Sequence, residues 1–209
     1  MIKEFCAENL TQLFQLDSQS IKRVELCDNL AKGGTTPSYG TIKEANRYLH
    51  EKGISTTVMI RPRGGSFVYN DIELRVMEED ILRAAELESD ALVLGLLTEE
   101  NELDLDAIEQ LLPATQDLPL VFHRAFDQIA QEEQKAALDQ LIELGFSRIL
   151  LHGSADDREI LDNMDWLKEL NDYAAGRIEL VLAGGVTEDK IAKLQEKTGI
   201  QSFHGSQLK

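Results

Sequence analysis

The sequence lacks the features that mark membrane-spanning and secreted proteins. Its longest apolar runs, such as residues 91–97, fall far below the ~20 residues that a membrane-spanning helix needs. The first residues show no signal-peptide pattern of a basic segment followed by an apolar one. These absences predict a soluble, cytoplasmic protein with no membrane as partner.

Cysteine is scarce, since Cys6 and Cys27 are the only two in 209 residues. Neither belongs to a CxxC pair, and no cysteine–histidine spacing of the zinc-finger type is present. A disulfide-rich scaffold and a zinc finger are therefore excluded, and reducing conditions would leave both side chains as thiols. The two thiols can serve a functional site or can be small core residues.

Basic residues are also few. The chain has 21 lysines and arginines against 38 aspartates and glutamates, and its formal net charge is -17. Such a charge repels phosphate backbones, so we expect no nucleic-acid partner. Arginines that cluster in so acidic a chain indicate instead a pocket for a small anionic ligand.

Linkers and low-complexity tracts are missing, and short apolar runs alternate with helical patterns along the chain. Eight runs predict strands, at residues 3–7, 23–27, 55–61, 91–97, 118–124, 148–153, 178–184 and 202–205. Helical patterns separate them, and their predicted start signals are Ser38, Asp71, Asp104, Ser154 and Thr187. The alternation predicts an α/β protein, a (β/α)8 TIM barrel, as one domain over residues 1–209.

Two of the predicted units are incomplete. The first crossover, residues 9–19, leaves room only for a short helix, and the residues after the eighth strand are too few for an eighth helix. A missing helix would expose apolar surface on one side of the barrel. We therefore expect a supporting loop there or a homodimer or higher homo-oligomer.

Polar side chains recur where the predicted strands end, and the carboxyl ends of barrel strands share one face. Residues two apart in a strand point to the same side of it. Glu4 and Cys6 are such a pair, and so are Glu25 and Cys27. The polar residues at these ends are Glu4, Cys6, Glu25, Cys27, His123, His152 and His204. The pattern predicts one shared pocket in which Glu25 and His123 form an acid–base pair.

Each of these residues also has a structural interpretation. A single histidine at a strand end is often a hydrogen-bonded structural residue, and Glu4 or Glu25 can be half of a buried pair with Arg61. Arg124 points to the opposite side of its strand from His123, so we expect it to bind a carboxylate such as Asp127. Three of the four histidines nevertheless fall at strand ends, which favours a site.

The sequence also predicts residues for an anionic ligand. Arg61 and Arg63 are separated by one proline that keeps the backbone extended, so both guanidinium groups point the same way, as suits a carboxylate or phosphate. Gly184 and Gly185 resemble the phosphate site that many barrels build after strands seven and eight, although Gly-Gly is also ordinary in turns. With His204 these four residues form the predicted ligand-binding set.

Four segments resemble the CutC family, whose members are called copper homeostasis proteins. The segments are VELCDNLAKGGTTPSYG, MIRPRGGSFVYND, VFHRAFDQI and LAGGV, in the family's order over nearly the whole chain. The resemblance implies a (β/α)8 barrel, a cytoplasmic and often oligomeric protein, and an association with copper.

Three functions are compatible with these residues. Cu(I) prefers sulfur ligands, and Cys6 and Cys27 on neighbouring strands, ~4.8 Å apart, could bind one ion at the barrel mouth. An isomerase, lyase or hydrolase could act on a phosphate- or carboxylate-bearing metabolite, with Arg61 and Arg63 binding its charge. The third possibility is a non-catalytic scaffold with a remnant pocket. No organic cofactor is predicted.

Overall fold

The computed structural model describes residues 1–156 and 158–208. Eight parallel strands close into a barrel in sequence order, and β8 pairs with β1. The strands are β1 Ile2–Glu8, β2 Ile21–Cys27, β3 Ser55–Met59, β4 Ala91–Leu94, β5 Leu120–Phe122, β6 Phe146–Leu151, β7 Glu179–Leu182 and β8 Ser202–Gly205. The predicted (β/α)8 barrel is confirmed.

Six α-helices in the described residues follow strands β2 to β7. They are α1 Tyr39–His50, α2 Asp71–Glu86, α3 Leu105–Leu111, α4 Gln134–Glu143, α5 Met164–Ala174 and α6 Glu188–Thr198. The first crossover contains only a short 3-10 helix, Leu13–Gln15, which confirms the expected short first helix. No helix follows β8 in the described residues, and the buried Leu208 joins the apolar core there. The homo-oligomer stays a prediction.

The apolar runs overestimate the lengths of several strands. The runs at 55–61, 91–97, 118–124 and 178–184 end two or three residues after the observed strands β3, β4, β5 and β7. The chain stays buried beyond these strand ends, as at Ile60 and Leu96, so the apolar pattern continues where strand pairing stops. This places Arg61, His123 and Gly184 on loops at the carboxyl ends of the strands.

The predicted helix starts are correct in part. Ser38 accepts a hydrogen bond from the Thr41 amide, and Asp104 caps α3. Asn70 rather than Asp71 caps α2, through a capping box with Glu73. Ser154 as the cap of the fifth helix is wrong, because α5 begins ten residues later and the Ser154 hydroxyl binds Asp156 instead.

The core has two parts. A large apolar cluster lies between the barrel and its helices. A smaller one fills the barrel itself with Cys6, Cys27, Met59, Ala91, Val93, Val121, Leu150, Val181 and Ala183. Within the described residues, no helix has the length and apolar character needed to cross a bilayer. The small barrel cluster forms the floor on which the candidate site is built.

Candidate functional site

A cavity of about 570 Å³ opens at the carboxyl ends of the strands. We call it the mouth cavity. The residues of the sequence-predicted site that line it are Cys6, Glu25, Arg61, His123, Gly184, Gly185 and His204. Cys27 is fully buried behind this wall, and Arg63 is not among the lining residues. The structure therefore brings seven of the nine predicted residues to one cavity.

The two thiols and one carboxylate form a compact group of metal-ligating atoms. One ligand atom each from Cys6, Glu25 and Cys27 lies within 4.8 Å of the others. The Cys27 thiol donates to Glu25 Oε1 over 3.2 Å, and Cys6 Sγ lies 3.9 Å from the same oxygen. Cys6 is 8% exposed and Cys27 is fully buried. A ligand that enters through the mouth cavity therefore meets Cys6 first.

The environments of the two thiols push their pKa values apart. The neighbouring Cys27 thiol, helped by the charge of His204 and opposed by burial, lowers the pKa of Cys6 to about 5. The neighbouring Cys6, together with burial, raises the pKa of Cys27. Cys6 is therefore a thiolate at neutral pH while Cys27 keeps its proton, and a thiolate is the form of cysteine that binds metals.

Two further groups, His204 and Glu4, extend from Glu25 as a buried chain. His204 Nδ1 lies 2.9 Å from Glu4 Oε1, and its Nε2 lies 3.9 Å from Glu25 Oε1. Burial raises the pKa of Glu25 to about 8. Glu4 is also buried, but the hydrogen bond from His204 lowers its pKa to about 2. Burial opposes the charge on His204, but its acidic neighbours Glu25, Cys6 and Glu4 raise its pKa.

The structure pairs Glu25 with a different histidine from the one predicted. Its imidazole neighbour is His204, and no hydrogen bond or ion pair joins Glu25 to His123 in the described part of the chain. The His204 ring reaches Glu25 because β8 closes the barrel against β1. The local sequence pattern contains no signal for this pairing, since the residues are far apart in sequence.

His123 is held as a neutral imidazole. Its Nδ1 accepts a hydrogen bond from the Ala125 amide over 3.1 Å, so the ring proton lies on Nε2, which has no partner among the described residues. Burial, together with the charge of Arg61, lowers the pKa of His123 to about 3. The ring packs 4.9 Å from Phe67, centroid to centroid. This imidazole is suited to donate a hydrogen bond rather than to accept a proton.

Both predicted arginines have internal partners. Arg61 donates to the carbonyl oxygens of Lys32, Gly34 and Gly65 over 2.7–3.0 Å. Arg63 forms an ion pair with Glu73 and donates to three carbonyl oxygens of its own loop. The two guanidinium groups therefore stabilise the loops after β2 and β3, although Arg61 also lines the mouth cavity. Arg63 lies outside the cavity because Glu73 and the carbonyl oxygens of its own loop hold its guanidinium group there.

Several charged residues in the barrel were missed by the sequence analysis. Arg23 Nε lies 3.0 Å from Glu4 Oε2, and Arg148 Nη1 lies 3.7 Å from the same oxygen. Arg23 also binds Glu179 over 2.9 Å. Strand parity could have found Arg23, since it lies two residues before Glu25 on the same face of β2. These partners anchor Glu4, which in turn holds His204.

Arg124 and Asp127 form the predicted pair. Arg124 Nε donates to Asp127 Oδ2 over 3.0 Å, which confirms that prediction. Asp127 also accepts the amides of His152 and Gly153 over 2.9–3.0 Å. The buried carboxylate therefore joins the loop after β5 to the end of β6. Arg124 lines the mouth cavity as well, a position that the sequence analysis did not predict.

Comparisons with known proteins agree over the full chain. The CutC family model matches residues 1–209. A Streptococcus pyogenes relative described as a family protein CutC is 63% identical over 208 residues, 100% of both chains. The human copper homeostasis protein cutC homolog is 37% identical over 205 residues, 98% of this chain and 72% of its own. A crystal structure of a CutC protein from Streptococcus agalactiae superposes with a TM-score of 0.98 at 64% identity, covering 99% of each chain.

Proposed function

The chain belongs to the CutC family, and from that premise we propose that it binds Cu(I) as cargo at the barrel mouth, with Cys6 and Cys27 as the ligands. The observation that carries the proposal is the compact group of Cys6, Cys27 and Glu25, whose ligand atoms lie within 4.8 Å of one another. Soft thiolates are the ligands that Cu(I) prefers. A role in copper homeostasis, as the human relative's name states for that protein, would follow from such binding.

The geometry and charge of the thiol pair support this proposal. With metal–sulfur bonds of about 2.3 Å, as in zinc thiolates, one ion can bridge sulfurs up to roughly 4.6 Å apart. Cys6 is already ionised at neutral pH, so an incoming ion meets a ready ligand. Cys27 then loses its proton on binding, and copper affinity should rise with pH. Cytoplasmic reducing conditions would keep both sulfurs available.

Titration with Cu(I) under anaerobic conditions, against a competing chelator, tests the proposal. We expect wild-type protein to bind one tight equivalent, and both Cys6→Ser and Cys27→Ser to lose it. Met59→Leu is the control, because Met59 is a sulfur-bearing wall residue of the mouth cavity outside the proposed ligand pair. Unchanged stoichiometry in both cysteine variants would eliminate the thiolate site.

The size of the mouth cavity favours a second candidate function, an enzyme acting on a small phosphate- or carboxylate-bearing metabolite. A bare ion needs little space, whereas about 570 Å³ falls in the range of roughly 300–1,000 Å³ typical of small-molecule sites. Glu25, whose pKa of about 8 keeps it protonated at neutral pH, is suited to be a general acid. A thermal-shift screen of anionic metabolites should then reveal a stabilising ligand. No shift at millimolar concentrations would count against this candidate.

A further inference from the structure

A second, smaller cavity adjoins the mouth cavity. Its volume is about 250 Å³, and we call it the side cavity. It is lined by Arg124, His152, Asp156, Arg158, Glu159, Ile160, Gly184 and Gly185. Three of these residues, Arg124, Gly184 and Gly185, also line the mouth cavity, so they lie where the two spaces meet. None of the thiols lines the side cavity.

Arg124 is the arginine at this junction whose terminal nitrogens are unengaged. Its Nε donates to Asp127, and no acceptor in residues 1–156 and 158–208 binds its Nη1 or Nη2. Asp127 is only 1% exposed at its side chain and is itself held by two backbone amides. The guanidinium is therefore fixed through one edge while its other edge remains free for a ligand. Arg61, in contrast, donates both terminal nitrogens to carbonyl oxygens.

The glycine pair after β7 allows the guanidinium to lie against the backbone. A Cβ at Gly184 would lie 3.0 Å from Arg124 Nη1 and 3.1 Å from the His152 ring, so any side chain there would crowd both. Gly184 and Gly185 have φ values of 83° and 75°, which glycine adopts without strain. The amides of residues 184, 185 and 186 donate to no acceptor in the described chain. Unpaired amides beside a guanidinium are the donors that oxyanion sites use.

The remaining charged groups of the side cavity largely neutralise one another. Asp156 pairs with Arg158, and Glu159 lies 2.8 Å from the Nζ of Lys190, which lines the mouth cavity. No unpaired carboxylate therefore faces Arg124 among the described residues that line the side cavity. An anion could approach without displacing an existing partner of the arginine.

We propose that Arg124, Gly184 and Gly185 bind a phosphate group at the junction of the two cavities. Phosphate fits better than carboxylate because the donors come from two directions, the guanidinium edge and the backbone, and phosphate offers more acceptor oxygens. The remainder of a phosphate monoester would extend into the mouth cavity. In this proposal Arg124 binds the anion, rather than Arg61 and Arg63. The proposal requires neither copper binding nor catalytic turnover.

Amide NMR spectra of the wild-type protein, recorded with inorganic phosphate or with chloride at equal ionic strength, test the proposal directly. Phosphate should shift the amide resonances of residues 184–186 with a Kd on the order of 1 mM. Glycerol phosphate is the second probe. Tighter binding of the ester identifies a monoester as the ligand, equal binding identifies free phosphate, and either supports the site. Absence of shifts at residues 184–186 with both probes overturns it.

Variants provide an independent check. Arg124→Gln should weaken phosphate binding by at least ~10-fold. Arg75→Gln is the control, since this exposed arginine on α2 lines neither cavity, and it should bind phosphate like wild type. Gly184→Ala should block binding without a change in charge, because its Cβ would crowd Arg124. A folded Arg124→Gln that binds phosphate as tightly as wild type would refute the proposal.

The same samples separate this inference from copper binding. Arg124→Gln should keep the Cu(I) equivalent, because Arg124 lies outside the thiol group. Wild-type protein that binds phosphate but no Cu(I) would contradict the copper proposal alone. Protein that binds Cu(I) but shows no phosphate shifts would contradict the phosphate site alone.

Discussion

At the scale of single residues, the most unusual side chain is Cys6. It combines near-complete burial with a thiol whose pKa falls to about 5, since the Cys27 thiol and the charge of His204 are close. Buried thiols in apolar surroundings show the opposite shift. A low pKa together with a position on the mouth cavity makes Cys6 the reactive sulfur of this chain.

We predict that Cys6 reacts with iodoacetamide at a rate that changes little between about pH 6 and pH 8, because an ordinary thiol ionises only near pH 8.5 whereas Cys6 is already ionised. Below its pKa of about 5 the rate should fall. Mass spectrometry of the labelled peptide measures this rate. Cys6→Ser should abolish the labelling, and protein unfolded in denaturant should show the ordinary rise with pH. A tenfold increase per pH unit in the folded protein would contradict the shifted pKa.

At the scale of elements, the site depends on the short loops that follow the strands. Gly95 comes directly after β4, and a Cβ there would overlap the His123 ring and lie 3.1 Å from the Ala125 side chain. The loops after β4 and β5 can therefore pack together only because residue 95 has no side chain. This packing keeps the His123 ring in position to accept the hydrogen bond from the Ala125 amide.

Replacing this glycine should displace the histidine. We predict that Gly95→Ala destabilises the protein by roughly 1–3 kcal/mol, as overpacking of a tight contact does. Urea denaturation measures the stability, and the NMR signals of His123 report its displacement. Gly40→Ala in α1 is the control, because nothing lies within 4 Å of its Cβ. Equal free energies of unfolding of the two variants would contradict the predicted destabilisation by the contact with His123.

At the scale of the whole molecule, a line of buried ionisable groups runs along the inside of the barrel. It extends from Cys6 and Glu25 at the mouth through His204 to Glu4, which pairs with Arg23. Opposite charges alternate along this line, which offsets the cost of burying them. Glu25 is the exception, since burial raises its pKa from 4.5 to about 8.

This shift predicts a pH-dependent stability. Between pH 4.5 and about 8 the unfolded state has lost the Glu25 proton while the folded state retains it. The stabilisation from this group is therefore complete below pH 4.5 and declines as pH rises towards 8. Glu25→Gln has no proton to lose at this position, so its stability does not decline in this way. In urea denaturation, its free energy of unfolding relative to wild type should therefore grow by a few kcal/mol between pH 4.5 and about 8. The exposed Glu86→Gln is the control, and a constant difference for Glu25→Gln would contradict the raised pKa.

Much of this site could be predicted from residue types and strand parity. Cys6, Glu25 and Cys27 lie within β1 and β2, where parity holds, and they do converge. Arg63 lies after the end of β3 at Met59, where side chains no longer alternate between the two faces of a strand. The sequence pattern therefore could not predict where its side chain points. The free edge of Arg124 could not be predicted either, because it depends on which nitrogen Asp127 binds.

The sequence alone determined the order of strands and helices, the closed barrel that their alternation implies, and the polar residues at the strand ends. Apolar periodicity and turn residues are local properties, so they can be recognised without coordinates. Only the tertiary structure decided that His204 rather than His123 adjoins Glu25, and that Arg124 rather than Arg63 faces a cavity. The physical reason is barrel closure: β8 is placed against β1, and the loops above the barrel settle according to packing between distant segments, which no local pattern encodes.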